Sequence, residues 1–404
     1  MKKLTSVPLE NAQKFTLDML GSKLPLKHFI SISCALGSIL AENIKCVKDL
    51  PSFNNSALDG YAIKYSDSNK KLFIKETIFA GDKVESDLGN NECFKIMTGA
   101  KIPKSADTIV AFEDAKLIDD KTVQMPKNIK KGNAFRKKGE EIAFGETLFS
   151  RGTLIDSTVL AMLASQGISQ IEVYKKISIG VFSTGNELKE PWERADDDQI
   201  YNVNSTSLIA LFLTYGFEAD YCGVIPDNLE QSKKYFNQMK KYDVLVTTGG
   251  ISMGEADFVE EALLHNGLIS LFHGINIKPG RPTMIGKMEN TIVASMPGNP
   301  LAAYVNAFLL LIPMLKKLQG YNEYEHKFLK AKMAKELKVK PNRSNLVLGK
   351  YENGEFFVAN DNKYGSGMII PLVYSNALLV TKENQDMIAK DEEIDLICFK
   401  EIFC

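Results

Sequence analysis

The 404-residue chain contains few of the residues that mark metal-binding or disulfide-rich proteins. It has four histidines and one tryptophan, and its six cysteines form no CxxC pair, which argues against a zinc site or a disulfide framework. Lysine and arginine (49) balance aspartate and glutamate (50), so the net charge of −1 provides no field that would attract nucleic acid or an anionic membrane. The first residues, MKKLTSVPLE, lack the apolar core of a signal peptide. We therefore expect a cytoplasmic protein.

The sequence also lacks an uninterrupted hydrophobic run and a nucleotide-binding motif. The longest apolar stretch, 302–318, contains Asn306, Pro313 and two lysines, and it falls short of the ~20 apolar residues that cross a bilayer. We predict a buried helix there. The sequence has neither a GxxxxGKS/T motif nor a GxGxxG after a strand, which argues against a P-loop and against a dinucleotide-binding fold.

The spacing of apolar residues predicts a multidomain α/β plus β protein. Helix-like segments at 9–20, 33–41 and 157–166 flank a region of short strand-like runs, which predicts a helical domain with an inserted β domain. Strands and helices then alternate and predict a central parallel α/β domain, followed by a C-terminal β barrel-like domain. The predicted boundaries are 1–48 and 138–175 for the helical domain, 49–137 for the inserted β domain, 176–322 for the α/β domain and 323–404 for the C-terminal domain.

Three loops of the α/β region follow apolar strands and carry glycine, hydroxyl or acidic residues. The first is STGNEL at 183–188, the second is TTGGISMGEADF at 247–258, and the third is MPGNP at 296–300. Ligands of open parallel sheets bind beyond the carboxyl ends of the strands, where such loops lead into helices. Asn299 is a reasonable N-cap, and Pro300 suits a first helical turn. Each loop alone could be an ordinary turn, but their occurrence in one sheet predicts a site.

Three further segments offer groups for phosphate or another oxyanion. IKPGRP at 277–282 presents Lys278 and Arg281 around a rigid turn. In the β region, Asp59 stands in an Asp-Gly turn, and Thr98 lies in MTGA. The basic run 127–139 includes Arg136, which could hold an oxyanion, although such runs are usually solvated surfaces.

Together these motifs resemble the molybdopterin molybdenumtransferase family, which is also similar to the E domain of gephyrin. The segments that carry the resemblance are SALDGYA at 56–62, MTGA at 97–100, FRKKGEE at 135–141, STGNEL, TTGGISMGEADF, IKPGRP and MPGNP, in this order. The resemblance spans essentially the whole chain. It implies that molybdenum from molybdate enters adenylylated molybdopterin, which releases AMP and forms molybdenum cofactor with the help of Mg²⁺. It also implies a homodimer with a composite cleft, and no nucleic-acid or membrane partner.

The resemblance implies roles for individual residues. The implied catalytic residues are Asp59, Thr98, Arg136, Glu187 and Asp257. The implied metal ligands are the carboxylates of Glu187, Asp227 and Asp257, which suit a hard cation. The implied substrate-binding residues are Ser183, Thr184, Gly185, Asn204, Ser205, Asp227, Gly249, Gly250, Ser252, Lys278, Arg281, Pro297, Gly298, Asn299 and Pro300. Asn202, Asn204 and Ser205 also fit simple helix capping.

Two positions depart from the family pattern, and two other functions stay open. Gly274 stands where many relatives carry a second lysine, which could shift oxyanion contacts to Arg281 or His273, and Glu141 stands where an aspartate is usual.

A molybdopterin adenylyltransferase would share the TTGG loop but not the two β domains. A gephyrin-like scaffold is the other alternative. The sequence does not separate molybdate from tungstate, since both are tetrahedral dianions.

Overall fold

The computed structural model describes residues 6–22, 24–83, 85–225, 228–250 and 258–399. The chain forms two compact units. The larger unit comprises Met1–Ala41, Gly152–Ser157 and Gln170–Cys404, and the smaller unit comprises Glu42–Arg151 and Thr158–Ser169. The four predicted domains divide the chain more finely, and their boundaries stay a prediction.

The amino-terminal segment contains helix α1 (Leu9–Asp18) and strand β1 (Lys27–Ser31). The helix predicted at 33–41 is wrong, because only a 3-10 turn, Ile32–Cys34, is present. The amides of Gly37 and Leu40 donate instead to the backbone carbonyls of Ile155 and Thr153. Pairing with a distant segment thus replaces the local hydrogen bonds that a helix would need.

The smaller unit is built around a six-stranded sheet in the order β7-β4-β6-β5-β9-β8, in which only the β5–β6 pair is parallel. Tyr61 and Ile63 pack on one face of this sheet and Ala62 on the other, because neighbouring strand residues point in opposite directions. Its elements are β2 (Ile44–Lys45), β3 (Asn55–Ser56), β4 (Gly60–Ile63), a 3-10 turn (Tyr65–Asp67), β5 (Lys71–Ile78), β6 (Glu92–Ile96), β7 (Thr108–Ala111), a 3-10 turn (Phe112–Asp114), β8 (Lys116–Asp119), β9 (Thr122–Gln124), β10 (Phe135–Arg136), β11 (Thr147–Phe149) and helix α2 (Ser157–Ser165).

The α/β part of the larger unit has a mixed sheet in the order β16-β13-β17-β21-β20-β18. The first four strands are parallel, as predicted, and two antiparallel strands that the sequence pattern did not indicate extend the sheet. Its elements are β12 (Gln170–Tyr174), β13 (Ile179–Thr184), β14 (Leu188–Lys189), β15 (Ile200–Tyr201), α3 (Val203–Thr214), β16 (Asp220–Ile225), α4 (Leu229–Met239), β17 (Val244–Thr248), α5 (Phe258–His265), β18 (Leu268–His273), β19 (Ile277–Lys278), β20 (Met284–Met288), β21 (Thr291–Met296), α6 (Pro300–Asn306), a π-helical turn (Ala307–Leu311) and α7 (Ile312–Gln319).

Helices cover both faces of this sheet. Val246 packs on one face in a cluster with Leu208 and Phe308, whereas Leu245 packs on the other face with Phe236. The continuous helix from Pro300 to Gln319 is long and apolar enough to cross a membrane by length and composition, but 78% of its apolar window is buried inside the protein. It is the buried core helix that the sequence predicts.

The carboxyl-terminal part is a closed five-stranded barrel, as predicted. Its strands follow the order β24-β25-β22-β28-β26, and β26 returns to β24. Strand β19 of the α/β part pairs in parallel with β24, so that Lys278 lies opposite Asn345. The barrel elements are β22 (Phe328–Met333), β23 (Leu337–Lys338), β24 (Ser344–Glu352), β25 (Glu355–Val358), a 3-10 turn (Ala359–Asn362), α8 (Ile370–Tyr374), β26 (Ala377–Val380), β27 (Met387–Ile388) and β28 (Glu393–Cys398).

Candidate active site

Ser183 lies at the centre of a buried cluster of hydroxyl and amide groups. Its Oγ donates to Asn202 Oδ1 at 2.9 Å, and it lies 2.8 Å from both Ser205 Oγ and Thr248 Oγ1. These four side chains are almost fully buried. The cluster therefore fixes the end of β13, the start of α3 and the end of β17 against one another. Asn202 also caps α3, because its Oδ1 accepts from the Ser205 amide at 3.2 Å.

The second loop approaches the first through its paired glycines. Gly249 donates its amide to Met296 O at 3.3 Å, and Thr184 Oγ1 donates to Thr248 O at 3.3 Å. Gly250 has a φ of +64°, and a Cβ there would overlap the side chain of Val259 and lie 2.9 Å from Thr184 Oγ1. A side chain would therefore separate the two loops, which explains why glycine stands at this position.

The third loop is tied both to α3 and to the barrel. Asn204 Nδ2 donates to Gly298 O at 2.7 Å, and Asn299 Nδ2 donates to Ser366 Oγ at 2.8 Å. Asn299 occupies the N-cap position of α6, but its side chain makes no capping hydrogen bond, and the expected cap is wrong. The Leu301 amide instead donates to the carbonyl of Ser366 at 3.1 Å. A barrel residue therefore replaces the local cap.

Of the three predicted metal ligands, only Glu187 lies among the described residues. Glu187 is exposed in the first loop, and its carboxylate folds back over Gly185. Asp227, Ser252 and Asp257 lie outside the described residues. Among the residues that are described, no group of three His, Cys, Asp or Glu side chains could hold a metal ion. The assignment of magnesium to these carboxylates stays a prediction.

A cavity of about 1060 Å³ lies where the turn 277–282 and the third loop face the barrel. Pro297 and Asn299 line it together with the barrel residue Ser366. No aspartate or glutamate lines it within the described part of the chain. Five basic residues do line it, namely Lys278, Arg281, Lys338, Lys340 and Arg343. Such a surplus of positive charge in a concave wall favours an anionic ligand.

Three of these five basic residues were not predicted from the sequence. Lys338, Lys340 and Arg343 belong to the barrel, and they reach the cavity because β24 pairs with β19 beside Lys278. The only available signal was the short basic pattern of 338–343, KVKPNR, in an otherwise mixed tail. The sequence-predicted Lys278 and Arg281 are in the same cavity.

The smaller unit brings together Asp59 and Thr98, which are 39 residues apart. The Thr98 amide donates to Asp59 Oδ1 at 2.6 Å, and the Thr98 hydroxyl donates to the same oxygen at 2.8 Å. These two hydrogen bonds lower the pKa of the Asp59 carboxyl below its usual value of 3.8. Arg136 is exposed, and its backbone pairs with Asn55 in the short β3–β10 ladder. Asp59 and Arg136 therefore lie on adjoining segments of the smaller unit.

Not every lysine of the basic run is available to a ligand. Lys138 Nζ lies 3.0 Å from Asp49 Oδ2, and Lys131 Nζ lies 3.6 Å from Asp107 Oδ2. Glu141, one of the departures from the family pattern, has an exposed side chain. Lys131 and Lys138 are thus weaker candidates than Arg136 for an oxyanion contact.

Despite the departure at Gly274, five basic residues line the cavity. The Gly274 amide donates to Thr283 O at 2.9 Å, next to the turn that carries Arg281. His273 is 3% exposed, and its Nδ1 lies 3.3 Å from Glu260 Oε1. His273 is not among the residues that line the cavity, so a shift of oxyanion contacts to His273 is unsupported, whereas Arg281 does line it.

Family models match three consecutive parts of the chain. The MoeA N-terminal region (domain I and II) matches residues 7–167, a probable molybdopterin binding domain matches residues 180–317, and the MoeA C-terminal region (domain IV) matches residues 330–399. The middle match contains the three loops and the turn 277–282, and the last match contains the barrel side of the cavity.

Curated relatives and solved structures match over nearly the full length. The chain is 31% identical to the molybdopterin molybdenumtransferase of Haemophilus influenzae, over 93% of this chain and 94% of that protein. It is 30% identical to the molybdopterin molybdenumtransferase of Staphylococcus epidermidis, over 87% of this chain and 86% of that protein. The crystal structure of the molybdopterin biosynthesis MoeA protein from Pyrococcus horikoshii has a TM-score of 0.85 and 28% identity, and the match covers 98% of this chain and 100% of that chain.

Proposed function

Because this chain belongs to the molybdopterin molybdenumtransferase family, we propose that it takes molybdenum from molybdate, inserts it into adenylylated molybdopterin and releases AMP. The chain is a transferase of molybdenum cofactor biosynthesis that inserts molybdenum into molybdopterin. The single observation that supports the finer proposal most strongly is the cavity with five basic side chains and no carboxylate among its described lining.

The cavity has the chemistry that a tetrahedral dianion requires. Lys278 comes from the α/β part and Arg343 from the barrel, and the pairing of β19 with β24 brings these two cations to the same cavity. Asn299 and Ser366 also line the cavity and are joined by a 2.8 Å hydrogen bond. Cationic hydrogen-bond donors bind oxyanions more strongly than neutral donors do. We assign this cavity to molybdate.

The three loops are the proposed site of the molybdopterin substrate and its phosphates. Ser183 and Ser205 use their hydroxyls within the buried cluster, so their proposed contribution is to hold the loops in place. Glycine-rich backbone at the ends of parallel strands leaves amides free to approach phosphate oxygens. Gly250 and Gly298 are the proposed sources of such amides, whereas the Gly249 amide already donates to Met296 O at 3.3 Å.

A divalent cation such as Mg²⁺ fits the donor set proposed for this site. Glu187, Asp227 and Asp257 offer carboxylate oxygens, which are the ligands that Mg²⁺ prefers, and Glu187 is exposed at the first loop. When bound, the cation would neutralise phosphate charge. In the smaller unit we propose that Asp59, held by Thr98, orients the reacting phosphate or its water, and that Arg136 contacts an oxyanion.

We also propose that the protein works as a cytoplasmic homodimer. Leu26, Phe29 and Leu36 of the larger unit are 74%, 66% and 67% exposed, and they offer apolar surface that a second copy of the chain could cover. The net charge of −1 offers no general attraction to nucleic acid or membranes. Size-exclusion chromatography with light scattering should give twice the chain mass of 44.9 kDa.

Incubation of the purified protein with adenylylated molybdopterin, Mg²⁺ and either molybdate or tungstate tests the reaction. We expect AMP release that depends on the oxyanion, and the more effective oxyanion identifies the physiological substrate. Failure to release AMP with either oxyanion would contradict the proposal. ATP-dependent adenylylation of molybdopterin by the chain alone would support the adenylyltransferase instead. Binding of a stable partner without AMP release would support the scaffold.

A further inference from the structure

Asn306 is a buried amide in an apolar helix. It is 0% exposed, and the buried positions from Leu301 to Leu315 are otherwise apolar. A polar side chain in such surroundings is unfavourable unless it makes hydrogen bonds. The Asn306 side chain therefore needs hydrogen-bond partners, and these lie outside the helix.

That partner is the turn that carries two cavity cations. Asn306 Nδ2 donates to Gly280 O at 2.7 Å and to Thr283 Oγ1 at 2.7 Å. Thr283 Oγ1 in turn donates to the same Gly280 carbonyl at 3.0 Å. A carbonyl only accepts, so the amide nitrogen of Asn306 must face the turn. The side chains of Asn306 and Thr283 thus both donate to the Gly280 carbonyl.

Gly280 allows this close approach. Its φ is +97°, and a Cβ there would overlap Asn306 Nδ2 and lie 2.6 Å from Asn306 Oδ1. The peptide between Lys278 and Arg281 therefore rests directly on the Asn306 amide. The other side of the turn is closed by the Ile275 amide, which donates to Arg281 O at 2.9 Å.

We propose that Asn306 is a positioning residue that sets Lys278 and Arg281 for oxyanion binding. The inference rests on the proposed function, since it assigns the anchor of the same oxyanion cavity. Asn306 does not line the cavity and acts through Gly280. Loss of the anchor should move the two cations relative to Arg343 of the barrel, which lines the same cavity. Small displacements of binding groups can lower binding or rate by about a hundredfold.

The test compares oxyanion and pterin kinetics in a variant that keeps the volume of the side chain. Asn306→Leu should raise the KM for molybdate about tenfold to a hundredfold, while the KM for adenylylated molybdopterin and the kcat at saturating molybdate stay near wild type. Asn306→Thr keeps one donor and should recover part of the loss. Thr283→Val removes both hydrogen bonds of the Thr283 hydroxyl but keeps the Asn306–Gly280 bond, so it should cause a smaller rise in the same KM.

Gln319→Leu is the matched control for a general loss of stability. Gln319 is a buried amide of the same continuous helix that bonds Ile177 N and Lys175 O at 2.9 and 3.0 Å. The Gln319→Leu variant should have a lower unfolding temperature than wild type but an unchanged KM for molybdate. An unchanged molybdate KM in Asn306→Leu, or an equal rise in Gln319→Leu, would overturn the inference. Wild-type protein that binds no molybdate in equilibrium dialysis would instead overturn the proposed function.

Discussion

The Asp59 carboxylate accepts two hydrogen bonds from Thr98, one from its amide and one from its hydroxyl, at 2.6 and 2.8 Å. The two residues come from separate motifs that are neighbours only in the fold. Both bonds favour the ionised carboxylate and lower its pKa. A carboxylate held in this way has a defined orientation, which is what positioning a reacting phosphate or water requires.

Asp59→Asn should lower molybdate-dependent AMP release about a hundredfold, the scale expected when reacting groups lose their correct position. Thr98→Val keeps the amide donor and should cause a smaller loss, with the pKa of Asp59 rising toward its usual value in an NMR titration. Asp119→Asn is a matched control, because Asp119 accepts from the Lys121 amide at 2.8 Å and also has a lowered pKa. Full AMP release in Asp59→Ala would contradict the proposed role of Asp59.

Arg343→Gln should raise the KM for molybdate about 10- to 100-fold, since a hydrogen bond to a charged group contributes about 1.5–3 kcal/mol. The rise should shrink as ionic strength increases, because salt screens the attraction. Steady-state kinetics at several salt concentrations measure both effects. Lys390→Gln removes an exposed charge elsewhere on the barrel and should leave this KM unchanged. Equal effects of the two variants would mean that net charge, not the cavity, controls binding.

Gly60→Ala should destabilise the smaller unit by about 3 kcal/mol, at the upper end of the range for overpacking. A Cβ at Gly60 would overlap the backbone carbonyl of Val110, which cannot move without disturbing the β4–β7 pair. Gly132→Ala is the control, because its φ of +77° costs about 1 kcal/mol while no atom lies within 4 Å.

Amide hydrogen exchange in 60–63 and 108–111 measures the difference between these two glycine variants. Exchange in both strands should quicken far more in Gly60→Ala than in Gly132→Ala. Similar exchange in the two variants would show that the close approach of Gly60 to Val110 has no energetic consequence.

His326 should make the protein less stable in mild acid. Burial lowers its pKa from 6.5 to about 4, and its Nε2 donates to Phe308 O at 3.0 Å. The unfolded chain binds more protons between these two pH values, so the contribution is complete above pH 6.5 and is lost as the pH falls toward 4. The full effect is about 3 kcal/mol at ~1.4 kcal/mol per pKa unit.

Urea unfolding at several pH values measures this contribution. The free energy of unfolding of His326→Gln should fall less steeply than that of wild type between pH 6.5 and 4. Parallel curves for the two proteins would contradict the lowered pKa.

The sequence predicted the parallel strands and the loops at their ends because both depend on local patterns. Val244–Thr248 and Thr291–Met296 are short apolar runs that end in glycine or proline, and each is a buried strand. The same reasoning was wrong at 33–41, where apolar spacing resembles a helix. There the amides of Gly37 and Leu40 find partners in a distant segment, which no local pattern reveals.

The barrel side of the cavity could not be predicted for a related reason. Arg343 and Lys278 are 65 residues apart and come together only because the short strand β19 pairs in parallel with the start of β24. Asn306 was visible only as a polar interruption of an apolar run, and its role as an anchor depends on the turn at Gly280. The identity of such residues is in the sequence, but their neighbours are set by tertiary pairing.

Anomalous X-ray diffraction from crystals soaked with molybdate tests the central claim, that the basic cavity is the oxyanion site, most directly. We predict an anomalous peak in the cavity within hydrogen-bonding distance of Lys278 and Arg343, and its loss in crystals of Arg343→Gln. A molybdenum peak bound elsewhere in an active enzyme, with this cavity empty, would contradict the account.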